Sequence, residues 1–189
     1  MANILVVLAN GFEEIEAVSV IDVLRRAGCR VIVAKLDCDN HAMLDSHLIV
    51  ESQKGVKIVA DMLLNAVDCD VLDGIVLPGG WDGTQGLIAS DTLREILHLL
   101  DRDNRVIAAI CAAPLALFKH EILRNRAFTC YPSIETMIGS ENYKPDANVV
   151  QDGNLVTSRG PATALEFAFY LASIFTDKAK VIQEEMLAI

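Results

Sequence analysis

Four short runs along the chain are apolar at nearly every position: residues 3–9, 31–34, 74–77 and 106–110. A strand with one wet face alternates polar and apolar side chains, so unbroken apolar runs of this length predict strands covered on both faces. Longer stretches of helical period separate several of them. Residues 16–27, EAVSVIDVLRRA, put Ala17, Val20, Ile21 and Leu24 on one face and close on Arg25, Arg26 and Gly28, as a helix C-terminus favours. SDTLREILHLL offers a Ser or Asp cap before a buried face of Leu93, Ile96, Leu97 and Leu100, with His98 outside that face and at the surface. Residues 163–189 read as two helices broken near Thr176, with Phe167, Phe169, Leu171 and Phe175 in the core. Two hairpins accompany the sheet, one turning at Lys54 and Gly55, the other at Asp152 and Gly153. Alternating strands and helices predict an α/β three-layer sandwich, a mostly parallel central sheet with helices on both faces.

With 189 residues and 52% hydrophobic composition, the chain suits one domain spanning residues 1–189. The formal net charge of -10 counts against nucleic acid as an extended partner, because that affinity rests on Lys and Arg displacing counterions. No basic segment precedes the first apolar run, and no run approaches the roughly 20 apolar residues that span a bilayer. A soluble cytoplasmic protein is expected, with no membrane partner. The five cysteines are odd in number and lack C-x-x-C spacing, so neither a disulfide framework nor a thiolate zinc site is expected. Cys38 and His41 sit in a polar stretch, residues 37–47, without a second ligand pair, and read as part of a solvated loop. No metal and no cofactor are expected.

In a parallel sheet, ligands bind beyond the carboxyl ends of the strands, and three strand-to-helix turns fall there. They are ANGFEEIEAV, LPGGWDG and AICAAP. In the last, Ala109, Cys111 and Ala113 form a small-x-Cys-x-small pattern like a nucleophile elbow, a sharp turn that tolerates only small neighbours. A helix N-terminus beside the sulfur would favour thiolate over thiol. Cys29, Cys69 and Cys130 read instead as small buried hydrophobes. Gly79 and Gly80 miss the dinucleotide-loop spacing; adjacent glycines after a strand let backbone N–H groups approach an anion, as an oxyanion site requires. Glu13 and Glu14 read as helix caps. Glu16, one step before the apolar face, can lean toward the sheet edge and meet Cys111 as a protonated donor to sulfur.

GFEEIEAV, VLPGG, AAICAAP and TSRGPATALEFA, in this order over nearly the whole chain, resemble the ThiJ/PfpI superfamily, most closely its DJ-one/YajL-like branch. The resemblance implies a flavodoxin-like sandwich, usually a homodimer, with Cys111 as reactive cysteine and Glu16 beside it as the catalytic pair. Gly79, Gly80 and Ala112 match the anion pocket, and Tyr131 takes the position where DJ-one carries a histidine. That tyrosine counts against a mechanism needing a His base, and Lys54 stands where relatives often have arginine. The family's peptidases place a histidine directly after the nucleophile; this chain has Ala112 there, and His120 lies well down the following helix. Class I glutamine amidotransferases need a histidine on a late loop that reads TSRGPATALEF here. The resemblance therefore implies a cofactor-independent enzyme acting on methylglyoxal, glyoxal or their early amine and thiol adducts. The other reading is a redox-sensing stress protein or chaperone whose Cys111 is oxidised to sulfinate, with little turnover.

Overall fold

The computed structural model describes residues 1–36 and 48–188. The expectation for residues 37–47, including Cys38 and His41, lies outside them. Strand β1 (Asn3–Leu8) runs into helix α1 (Glu14–Arg26) and strand β2 (Arg30–Lys35). A hairpin, β3 (Ile49–Glu51) and β4 (Lys57–Val59), and the two-residue β5 (Met62–Leu63) precede β6 (Gly74–Leu77). Helices α2 (Trp81–Ala89) and α3 (Asp91–Arg102), strand β7 (Val106–Ile110), and helices α4 (Pro114–Lys119) and α5 (Glu135–Ile138) follow. Strands β8 (Val149–Asp152) and β9 (Leu155–Ser158) and helices α6 (Ala164–Phe175) and α7 (Ala179–Glu185) complete the order.

The seven-stranded sheet has the order β5-β2-β1-β6-β7-β9-β8, parallel throughout except for the β8–β9 hairpin. This is the mostly parallel α/β sandwich that the apolar runs predicted, and the flavodoxin-like one that the family resemblance implied. Side chains alternate along β1: Leu5 and Val7 enter one core with α3 and α4, while Ile4, Val6 and Leu8 enter the other with α1 and α6. Burial of each such large aliphatic contributes roughly 1.5–3 kcal/mol, which is why β1 carries no polar position after Asn3.

Local signals matched where they were chemical. Ser90 caps α3 by accepting the Leu93 N–H at 3.1 Å, and Leu93, Ile96, Leu97 and Leu100 form its buried face, with His98 only partly covered outside it. Helix α1 starts two residues earlier than its apolar period suggested, because the Glu13 carboxylate accepts the Glu16 N–H at 2.8 Å and begins the turn. Its buried face takes Val23 rather than Ile21. Thr176, extended at φ -154°, separates α6 from α7, and Phe175 is partly buried where Phe167, Phe169 and Leu171 are fully so.

The hairpins divide. β3 and β4 form a separate two-stranded sheet, whereas β9 lies inside the main sheet beside β7 and is a structural strand rather than an accessory. Cys29 and Cys130 are buried as expected, but Cys69 is only half-buried, its thiol donating to the Val67 carbonyl at 3.6 Å. Among the described residues, no helix is long and apolar enough to cross a membrane.

Candidate active site

The chain runs from β1 to β2 on one side and later to β6 on the other, so the crevice beyond the carboxyl ends of β1 and β6 is a topological switch point. The turns after β1, β6 and β7 meet there. The Glu13 N–H donates to the Gly79 carbonyl at 2.9 Å, clasping the first turn to the second. The β3–β4 hairpin docks on the first turn through Gly11 N–H to Glu51 O at 2.7 Å and Gln53 N–H to Phe12 O at 2.9 Å.

Cys111 occupies the third turn with φ at +66°, a left-handed conformation that a non-glycine residue holds only when its surroundings enforce it. Two hydrogen bonds do so: its N–H donates to the Ser158 carbonyl at 3.0 Å, and its own carbonyl accepts the Tyr131 N–H at 2.9 Å. The small residues around it follow from this crowding, since Ala112 and Ala113 are buried.

The glycines are required by contact. A Cβ on Gly79 would sit 2.7 Å from Cys111 Cβ, 2.9 Å from Glu16 Oε2 and 3.0 Å from the Ala112 nitrogen. Gly80 has φ at +89°, and a Cβ there would overlap the Gly11 carbonyl. The backbone N–H groups of Gly80 and Ala112 act on the Cys111 sulfur to favour its charged form, which places them where negative charge would develop.

Glu16 is fully buried. Its Oε2 accepts the Gly79 N–H at 2.7 Å, and its Oε1 has no hydrogen-bond partner. Burial, countered in part by the Gly79 N–H, pushes this carboxyl up to about 7. The Cys111 thiol is also pushed up, first by burial, then by the charge of the adjacent Glu16 carboxyl, while the Gly80 and Ala112 N–H groups pull it down. A thiol lowered by a helix N-terminus is not what these surroundings produce. Helix α4 begins only at Pro114, capped by Ala113, so the sulfur lies outside its first turn. The sulfur and the carboxyl instead form a pair in which protonating Glu16 removes the charge that opposes the thiolate.

Cys111 opens onto a cavity of about 570 Å³, lined in part by Glu13, Gly80, Ala112 and Tyr131, with Glu16 buried behind it against Gly79. All six residues singled out from the sequence, Glu16, Gly79, Gly80, Cys111, Ala112 and Tyr131, therefore converge on this edge. Glu13 is both cap and cavity wall, and burial raises its carboxyl. Gln53, Trp81, Ser133 and Met137 also line the cavity and were not anticipated. Trp81 was legible as the residue after the glycine pair; Gln53 reaches the site only because the hairpin docks on the first turn. Lys54 does not line the cavity. His120 is buried at the end of α4 with Nε2 2.9 Å from the Leu87 carbonyl, and does not line the cavity either. Among the described residues, no group of three or more His, Cys, Asp or Glu could hold a metal ion.

Residues 2–174 match the model of the DJ-1/PfpI family. Protein dj-1beta of Drosophila melanogaster is 40% identical over 178 residues, covering 94% of this chain and 91% of the relative. A crystal structure of Drosophila melanogaster DJ-1beta is similar with a TM-score of 0.89, at 38% identity over 98% of this chain and 97% of that one. The glutathione-independent glyoxalase DJR-1.2 of Caenorhabditis elegans is 35% identical over 157 residues, 82% of this chain and 78% of the relative. The structure of oxidized Toxoplasma gondii DJ-1 is similar with a TM-score of 0.89, at 35% identity over 99% of this chain and 98% of that one.

Proposed function

Because the chain belongs to the DJ-1/PfpI family, we propose that it is a cofactor-independent enzyme of the glyoxalase or deglycase type, acting on methylglyoxal, glyoxal or their early adducts. The observation that carries this reading is the buried Glu16 carboxyl, raised to about 7, beside a cysteine held in a strained turn. A group that titrates near neutrality can both release and accept a proton at working pH. The relative named a glutathione-independent glyoxalase supports the same reaction class.

In this reading the pair's proton sits on Glu16 when sulfur attacks the aldehyde carbon of methylglyoxal. The carbonyl electrons move to oxygen, the N–H groups of Gly80 and Ala112 stabilise the oxyanion, and Glu16 protonates it to give a hemithioacetal. Glu16, now a carboxylate, removes the proton from that carbon to give an enediol and returns it to the neighbouring carbon, while the hydroxyl proton passes from the first oxygen to the second, leaving a thioester of lactate. Water hydrolyses the thioester, releasing lactate and the thiol. Atoms balance as methylglyoxal plus water to lactic acid, and no electrons leave the system.

Steady-state turnover of methylglyoxal by the wild type beside Cys111→Ala tests this directly. Turnover that persists in the variant, or is absent from the wild type, overturns it. A second reading, redox sensing, is favoured by the unpartnered Glu16 Oε1 and by the oxidized state of the Toxoplasma relative. Peroxide would oxidise Cys111 to a sulfinate that a protonated Glu16 holds by hydrogen bonding. Peroxide oxidation at Cys111 without dicarbonyl turnover selects that reading. We also infer a homodimer, since Ile15 and Val18 face outward from α1 at 54% and 48% exposure in a chain of mean hydropathy +0.36. Light scattering that reports a monomer at micromolar concentration removes this expectation.

A further inference from the structure

Methylglyoxal has five non-hydrogen atoms, which at the roughly 30 Å³ a water molecule claims in the liquid amounts to at most about 150 Å³. The cavity at Cys111 is about 570 Å³, several times larger. A second recess of about 250 Å³ adjoins it, and the two share Tyr131 and Pro161 as walls. Together they form a two-part cleft in the size range that holds a substituted ligand rather than a three-carbon one.

The adjoining recess has a distinct chemistry. Tyr131, Pro132, Pro161 and Ala162 give it apolar walls. Its polar side chains are largely committed. The Asn148 amide donates to Glu166 Oε2 at 2.8 Å, and Thr163 Oγ1 is bonded to Ser158 Oγ at 2.7 Å and to the Gly160 carbonyl at 3.0 Å. Arg159 is the exception. Its side chain makes no hydrogen bond and no ion pair among the described residues, although its charge reaches Cys130 and Tyr143. A partly covered guanidinium that lines an apolar recess and has no carboxylate within ion-pair distance among the described residues, although the charge of Glu135 also reaches Cys130 and Tyr143, is equipped to take the carboxylate of a ligand.

We propose that the recess lined by Tyr131, Pro161 and Arg159 is a substrate subsite for an apolar arm ending in a carboxylate. The preferred substrates of the reading above are then dicarbonyl adducts of amino acids or of carboxylate-bearing thiols, with the reacting carbon at Cys111 and the carboxylate at Arg159. Free methylglyoxal fills only the Cys111 end. The proposal rests on Cys111 as the reacting group of that reading, but it does not require turnover.

The test uses N-chloroacetyl-phenylalanine and its neutral amide as paired alkylating probes. In each, the Cys111 thiolate attacks the chloroacetyl carbon, an S–C bond forms and chloride leaves. Wild-type protein is expected to alkylate at Cys111 about tenfold faster with the acid than with the amide. Without the subsite the order reverses, because Glu13 on the cavity wall and a net charge of -10 repel an anion. Arg159→Gln is expected to bring the acid-to-amide ratio to one or below, and Arg159→Lys to keep an intermediate value. Ala162→Phe, which fills the recess, is expected to slow both probes severalfold. For the Arg159 variants the ratio is taken within each protein, so a reduced folded fraction cancels; for Ala162→Phe both rates are divided by the rate of Cys111 labelling by the small reagent iodoacetamide in the same sample. A wild-type ratio at or below one, a ratio unchanged in Arg159→Gln, or no slowing in Ala162→Phe overturns the proposal. Absence of methylglyoxal turnover removes the enzymatic reading alone and leaves the ratio interpretable.

Discussion

The turn carrying Cys111 and the segment carrying Cys130 are joined by one hydrogen bond, from the Tyr131 N–H to the Cys111 carbonyl, yet they present their thiols in opposite ways. Cys130 is fully buried within the core against α4, and burial, then the charge of Glu135, push its thiol up to about 12. Cys111 is half-buried at a cavity and its thiol is pushed up as well. Acidity therefore does not separate them. Cys111 differs in its opening to the cavity and in the fully buried Glu16 carboxyl, raised to about 7 and able to take its proton, with the N–H groups of both Gly80 and Ala112 acting on the sulfur where Cys130 has that of Glu135. A reactive cysteine here is a property of the pair, whereas Cys130 behaves as a small apolar side chain.

The largest effect should come from removing the sulfur. Cys111→Ala is expected to lower methylglyoxal turnover at least about a thousandfold, the scale on which enzymes lose a nucleophile. Cys130→Ala is expected to stay within a few-fold of wild type in the same assay. Equal losses in the two variants would break the distinction.

Next comes the proton carrier. Glu16→Gln keeps a hydrogen-bond donor but nothing that transfers a proton, and should lower turnover about a hundredfold or more. It also removes the charge that raises the Cys111 thiol, so iodoacetamide labelling of Cys111, followed by peptide mass mapping, should be no slower than in wild type. Slower labelling alongside intact turnover would take Glu16 out of the mechanism.

Stability gives a third measurement. The Glu16 carboxyl titrates at about 7 in the folded chain, against 4.5 for an ordinary glutamate. Between those values the folded state binds the proton more tightly than the unfolded state does. The stability tied to this proton is full below pH 4.5 and is lost as pH rises through about 7. At roughly 1.4 kcal/mol for each pH unit, the loss amounts to about 3 kcal/mol. Glu16→Gln escapes it, so urea unfolding should show the variant gaining on wild type by about that amount between pH 4.5 and pH 8. A difference independent of pH would mean that Glu16 is charged throughout.

The smallest effect belongs to the buried thiol. Cys130→Ala deletes one atom from a packed site and should cost about 1 kcal/mol, read as a shift in the urea midpoint. A neutral result would show that the core closes over the gap, and a loss above about 3 kcal/mol would mean that Cys130 does more than fill space.

Much of the molecule was legible in one dimension. Apolar runs such as residues 74–77 marked strands because only a doubly covered strand can bury every side chain, and Gly79, Gly80 and Cys111 marked the turns at their ends. Family motifs linked Glu16 to Cys111. Other features depended on relations between distant segments. That β9 is an inner strand beside β7 follows from pairing across more than 40 residues, which a hairpin signal does not encode. Gln53 reaches the cavity through a hairpin docked on the first turn. Arg159 became notable only when the structure showed which polar neighbours were already bonded to one another.

By itself, the sequence determined the α/β architecture, the position of the elbow and the residues gathered at the sheet edge. Those depend on periodicity, residue size and local turn chemistry, all carried by neighbours along the chain. Only the tertiary structure decided the protonation balance of Glu16 and Cys111. The helix N-terminus expected to lower the thiol lies one turn too far along, at Pro114, and burial of both groups dominates instead. Desolvation depends on how much protein covers a group from every side, a sum over segments far apart in sequence, and so it is settled by the packed fold.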